Sequence, residues 1–154
     1  MIATMSVASV GVYSPMADRA VGEAGLALGK SLVQALAGSG SDDRTADIHQ
    51  RVSKALQAAQ TENAFSSPHA IARTFEILNA LPRSMPLPDV VVEAEDAIGL
   101  DWDEGRHRVV SLTVGDTPMV GFAALFGTEP MYGKMAFFGE IPTTLRYLFR
   151  RLRS

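Results

Sequence analysis

Residues 86–142 read PLPDVVVEAEDAIGLDWDEGRHRVVSLTVGDTPMVGFAALFGTEPMYGKMAFFGEIP, in which short runs of alternating apolar and polar residues are separated by Gly, Asp and Pro. Alternation with a period of two is typical of strands that bury one face. The pattern predicts strands over 90–94, 98–103, 110–114 and 119–126, and a fifth strand near 135–138. Short turns at 104–105 and 115–116 favour an antiparallel meander.

The residues before this region have the three- and four-residue apolar spacing of helices. A first helix is predicted to begin at Ser14 and Pro15 and to end in the Gly-Ser stretch 38–41. A second, capped by Asp42 or Asp43, fades by Asn63, and a third follows 66–68 and ends at Pro82. The apolar stripes of these three helices are, in order, Val21, Ala24, Leu28, Leu32 and Leu36; Ile48, Val52, Ala55, Leu56 and Ala59; and Ile71, Ala72, Phe75, Leu78 and Leu81.

A last helix is predicted after Pro142, with Leu145, Leu148, Phe149 and Leu152 on its apolar stripe. The fold class is therefore α+β, with N-terminal helices followed by a four- to five-stranded antiparallel meander and a C-terminal helix. We expect residues 1–13 to be a flexible arm and residues 14–154 to be one domain. Its helical part covers 14–82, and its sheet with the last helix covers 88–154.

Composition and charge are those of an ordinary globular protein. The chain has 154 residues, of which 47% are hydrophobic and 20% charged, with a net charge of −3. This charge argues against binding of the whole molecule to nucleic acid or to an anionic membrane. The chain has no cysteine, and its first thirteen residues lack the pattern of a secretory signal, so we expect a cytoplasmic protein without a membrane partner.

Residues 24–31 read AGLALGKS and fit a permissive form of the Walker A phosphate loop, with Gly29, Lys30 and Ser31 in the diagnostic places. Such a loop must leave a buried strand and enter a helix, so that its backbone N–H groups surround the phosphates. Here the preceding residues continue the helical pattern instead. This context argues against a phosphate loop, and nucleotide binding through these three residues is an alternative hypothesis only.

No set of catalytic or metal-binding residues is evident. His49, His69 and His107 fall in three different predicted elements without a second histidine at helical spacing, and there is no G-x-S-x-G nucleophile motif. We therefore expect no metal, no cofactor and no enzymatic activity.

Charge is distributed unevenly along the chain. Between 86 and 104 there are seven acidic residues and no basic ones, and after Glu140 there are four arginines and no acidic residues. A solvated sheet face and a helix with a cationic end would explain both segments; the alternative is that they meet a partner. The candidate partner-binding residues are Asp101, Asp103, Glu104, Tyr132, Phe138, Arg146, Arg150 and Arg153.

Several short segments of the C-terminal half resemble a group of small uncharacterised bacterial proteins. They are Leu81-Pro82, Pro86-Leu-Pro-Asp89, Leu100-Asp-Trp102, Gly121-Phe-Ala-Ala-Leu125 and Phe138-Gly-Glu-Ile-Pro142. The resemblance covers about half of the chain and implies a bacterial origin. It carries no assigned activity, cofactor or site residue.

The leading hypothesis is a non-enzymatic bacterial protein–protein interaction module that regulates, inhibits or scaffolds an operon-encoded partner. One alternative is a small nucleotide-binding enzyme. Another is nucleic-acid binding through Arg146, Arg150, Arg151 and Arg153, for which four arginines are a thin basis. Formation of a homo-oligomer is left open.

Overall fold

The structure is a computed structural model that describes residues 43–93 and 96–154. The predicted arm 1–13, the first predicted helix and the Walker A-like residues Gly29, Lys30 and Ser31 lie outside the described residues.

Among the described residues, two helices precede the sheet. Helix α1 comprises Asp43–Thr61, and the residues that it buries are those of the predicted stripe. Helix α2 comprises Pro68–Ala80. It begins as predicted, because the Ser67 hydroxyl accepts a hydrogen bond from the Ala70 N–H (3.0 Å) and Pro68 needs no partner in the first turn.

Five strands form one antiparallel sheet in the order β1-β2-β3-β4-β5, as a meander predicts. The strands are β1 Asp89–Val92, β2 Ile98–Asp103, β3 Arg108–Val114, β4 Met119–Phe126 and β5 Glu129–Ala136. Cross-strand pairs such as Leu100↔Leu112 and Leu112↔Phe122 align the apolar positions on one face.

The fifth strand lies earlier in the chain than the sequence predicts. The turn before β5 consists of Gly127 and Thr128 alone, and Gly127 adopts a φ of 70° at the first central position of this two-residue hairpin. Glu129 and Pro130 are therefore strand residues, and Phe138 lies beyond β5. Proline is tolerated here because β5 is an edge strand.

Helix α3 comprises Thr143–Arg153 and buries the four predicted apolar residues. All three described helices pack on the same face of the sheet: α1 mainly on β1, α2 on β2 and β3, and α3 on β3 and β4. The core lies between the two layers, and the α+β fold class is confirmed. The opposite sheet surface, called here the open face, is in contact with none of the three helices.

The proline-rich link 82–88 crosses the helical layer and is held by side-chain donors. Arg44 of α1 donates to the carbonyl oxygens of Met85 (3.0 Å) and Pro82 (3.3 Å), and Arg51 donates to that of Pro88 (2.8 Å). Arg153 of α3 donates to the Ser84 carbonyl oxygen. The Met85 N–H also donates to the Pro82 carbonyl oxygen (2.9 Å), so this backbone hydrogen bond and side chains of α1 and α3 together fix the path of the link.

Candidate functional site: an arginine-lined groove

A groove of about 960 Å³ lies between the link 82–88, residues 139–141 and helix α3. We call it the arginine groove. Its cationic residues are Arg146, Arg150 and Arg153, its apolar residues include Met85, Ile141 and Phe149, and its one acidic residue is Glu140. The three arginines share one side of α3 because they follow each other at intervals of four and three residues.

The three arginines differ in what they already contact. Arg146 Nε donates to the Ile141 carbonyl oxygen (3.1 Å), and Arg153 donates to that of Ser84. Arg150 is exposed and makes no hydrogen bond or ion pair with any residue that the structure describes. Arg146 and Arg153 therefore also hold the groove walls, whereas Arg150 presents a free guanidinium group.

The apolar part of the groove is well anchored. Met85, Ile141 and Phe149 are all at least nine-tenths buried, and the Phe149 ring packs edge-on against the Trp102 indole, with centroids 4.9 Å apart. A ligand here meets the small exposed parts of these apolar side chains next to the three arginines. Such a combination suits a chain segment that carries both an apolar and an acidic side chain.

A second hollow of about 510 Å³ adjoins the arginine groove. Ser84, Met85 and Arg153 line both, and the second hollow is completed by residues including Glu104 and Arg108 at the turn between β2 and β3. The predicted residues Glu104 and Arg153 thus line one hollow although they are far apart in sequence.

The other predicted residues lie elsewhere. Asp101 and Tyr132 belong to one cross-strand row of the open face, because Asp101 pairs with Ser111, Ser111 with Ala123 and Ala123 with Tyr132. Tyr132 is 82% exposed on this face. The eight residues therefore do not form one surface.

Asp103 and Phe138 belong to neither hollow. Asp103 ends β2, where its carboxylate accepts a hydrogen bond from the Gly105 N–H (2.7 Å) and so shapes the following turn. Phe138 follows β5 and is 80% exposed.

Arg151 is engaged outside the groove. Its guanidinium group donates to Glu129 Oε1 (2.9 Å) and lies over the Phe126 ring, 4.5 Å from the centroid. The four C-terminal arginines are therefore not one continuous basic patch, because this residue belongs to the contact between α3 and the end of the sheet.

Two carboxylates interact on the open face. Burial, followed by the charge of Asp101, raises the pKa of Glu93, while a hydrogen bond with Thr113 opposes the shift. The Glu93 carboxylate occupies the space above Gly99, since a Cβ at that glycine would lie 2.2 Å from Glu93 Oε2.

Within residues 43–93 and 96–154, no three His, Cys, Asp or Glu side chains are placed to hold a metal ion. In the same part of the chain, no helix has both the length and the apolar character needed to cross a bilayer.

No protein-family model matches the chain, and neither the curated proteins nor the solved structures compared with it give a significant match. The geometry of the described residues therefore carries the functional argument. The resemblance to small bacterial proteins stays a prediction.

Sequence reasoning found the arginines of the groove but not its other wall. Met85 and Ile141 carry no local signal for a site, because they come together only where the link 82–88 and residues 139–141 both reach α3. The proline-rich composition of 82–88 was the available signal, since a segment with few N–H groups needs side chains to hold it in a fixed path.

Proposed function

We propose that the protein is a non-enzymatic interaction module whose arginine groove binds an acidic segment of another protein. The observation that carries the proposal is that Arg146, Arg150 and Arg153 line one groove together with the apolar residues Met85, Ile141 and Phe149. Charge complementarity identifies the occupant as acidic. The apolar residues of the groove indicate that at least one apolar side chain accompanies the acidic residues.

Binding to a protein segment is better supported than binding to nucleic acid. Arg151 is engaged by Glu129 and Phe126, and Glu140 and Glu104 line the two hollows. Carboxylates beside the binding surface repel a polyanionic backbone, whereas a peptide can place neutral residues next to them. We place this activity in the cytoplasm of a bacterial cell, where a partner encoded in the same operon is regulated, inhibited or scaffolded.

A peptide selection tests the proposal without knowledge of the partner. A random peptide library displayed on phage is selected against the immobilised protein, and the enriched peptides are synthesised with a fluorescent label. We expect Asp or Glu residues flanking Leu, Phe or another large apolar residue. Enrichment of basic peptides, or of none, would contradict the proposal.

Two charge reversals locate the binding surface. Arg150→Glu places an anion in the groove and is expected to weaken binding of the selected peptide at least about tenfold. Lys54→Glu, at an exposed position of α1 outside both hollows, is the matched control and should leave the affinity within about twofold. Equal loss in both variants would indicate a non-specific charge effect and not a groove.

A further inference from the structure

We propose that the acidic segment continues from the arginine groove across the link and is held at a second point by Arg108 at the end of the β2–β3 turn, with the charge of Arg106 two residues earlier adding to the attraction. This inference rests on the proposed function, because it names a second contact of the same bound segment. Three observations carry it: the shared lining of the two hollows, the unused guanidinium group of Arg108 and the strained backbone of the turn.

The two hollows are neighbours that share part of their lining. Ser84, Met85 and Arg153 border both of them, so a chain that leaves the arginine groove over the link enters the second hollow directly. Arg153 stands at the junction and donates to the Ser84 carbonyl oxygen, which keeps its guanidinium group between the two hollows.

Arg108 supplies a cation at the far end of this path. It is the first residue of β3, is half-buried, and its side chain forms no hydrogen bond or ion pair within the described part of the chain. A half-buried arginine without a carboxylate partner is well suited to bind a carboxylate group of a ligand. Folding has already removed part of the water around its side chain, so binding has less water left to displace.

The turn before Arg108 holds an unfavourable conformation. Its backbone closes with a hydrogen bond from the Arg108 N–H to the Gly105 carbonyl oxygen (3.0 Å), and the two central residues, Arg106 and His107, have φ values of 50° and 60°. Asn and Gly are the residues that fit both central positions of such a turn with least strain. Strained residues of this kind are concentrated at binding sites, and here they directly precede Arg108, which lines the second hollow.

The test compares a short and a long probe. The short probe is the phage-selected peptide, and the long probes are the same peptide extended at its N-terminal or its C-terminal end by neutral residues and one terminal glutamate, so that neutral residues pass Glu104. We expect one long probe to bind the full chain about fivefold more tightly than the short probe. The same extension with glutamine in place of the glutamate should give no gain.

Two variants assign the gain to the turn. Arg108→Gln should abolish the additional affinity of the long probe, and the double variant Arg106→Asn/His107→Gly should reduce it. The short probe should bind both variants with unchanged affinity. Circular dichroism and thermal unfolding show whether each variant is folded.

The outcomes separate the two proposals. If the short probe binds and neither extension adds affinity, or if the gain survives in both variants, the second contact is wrong and the proposed function stands. If no selected peptide binds the groove, both are wrong. If a single-stranded oligonucleotide binds as tightly as the long probe with the same dependence on Arg108, the occupant is nucleic acid and the inference is overturned.

Discussion

The indole Nε1 of Trp102 donates a hydrogen bond to the carbonyl oxygen of Pro86, 2.8 Å away, and so joins the centre of the sheet to the link that forms one wall of the arginine groove. The same indole packs against Phe149 of α3. One side chain thus contacts both walls of the groove.

Replacement of Trp102 is expected to destabilise the protein. Trp102→Phe removes the donor to Pro86 and reduces the volume of a side chain that is 3% exposed, which should lower the free energy of unfolding by about 1–3 kcal/mol. Urea denaturation followed by circular dichroism measures the change. Tyr132→Phe, at the 82% exposed position on the open face, is the control and should change stability by less than about 0.5 kcal/mol.

Relief of strain in the β2–β3 turn is expected to stabilise the protein. The double variant Arg106→Asn/His107→Gly places a favoured pair at the last two of three consecutive residues with positive φ, the first being Gly105, and we expect about 1–2 kcal/mol of added stability. In the control Arg106→Ala/His107→Ala, the charge is removed but the strain remains. A similar gain in the alanine control would show that charge repulsion, and not backbone conformation, is the cost.

Stability should depend on the ionisation of Glu93. Its pKa is raised in the folded protein by burial and by Asp101, so the folded state binds the proton more tightly than the unfolded chain does. Protonation of Glu93 should therefore increase the free energy of unfolding as the pH falls from the folded pKa to the ordinary value of 4.5. The same contribution is lost as the pH rises through the folded pKa.

Two substitutions test this assignment by denaturation at several pH values. Glu93→Gln should be more stable than the wild type at neutral pH, and the difference should shrink as the pH is lowered. Thr113→Val removes the hydrogen bond that favours the charged carboxylate. It should therefore raise the folded pKa of Glu93 and move the pH-dependent change in stability to higher pH. If Glu93→Gln were less stable than the wild type at neutral pH, the assignment would be wrong.

The sequence predicts most of the described fold, because the relevant signals are local. The stripe of α1, the Ser67-Pro68 start of α2 and the alternation in β2 to β4 each depend on residues within one element. The position of β5 is missed because Gly127 and Thr128 alone form the turn, whereas the composition of 127–130 suggests a longer one.

The candidate site is predicted less completely. Helical spacing places Arg146, Arg150 and Arg153 together, and the groove confirms that they share a side of α3. The opposite wall of the groove is the link 82–88, which is held by hydrogen bonds from Arg44, Arg51 and Trp102. These contacts join residues that are distant in sequence, so no local pattern predicts them. For the same reason, only the register of the sheet shows that Asp101 and Tyr132 lie on a different surface from the three arginines.

Two neighbouring arginines of α3 distinguish binding of an acidic segment in the arginine groove from a general effect of positive charge. Arg150→Gln and Arg151→Gln each remove one positive charge from the same helix, but only Arg150 lines the groove, while Arg151 binds Glu129. Titration of the phage-selected peptide by isothermal calorimetry should show an affinity at least about fivefold weaker for Arg150→Gln and nearly unchanged for Arg151→Gln. Thermal unfolding should show the reverse order of effects, and equal affinities for the wild type and Arg150→Gln would contradict the account.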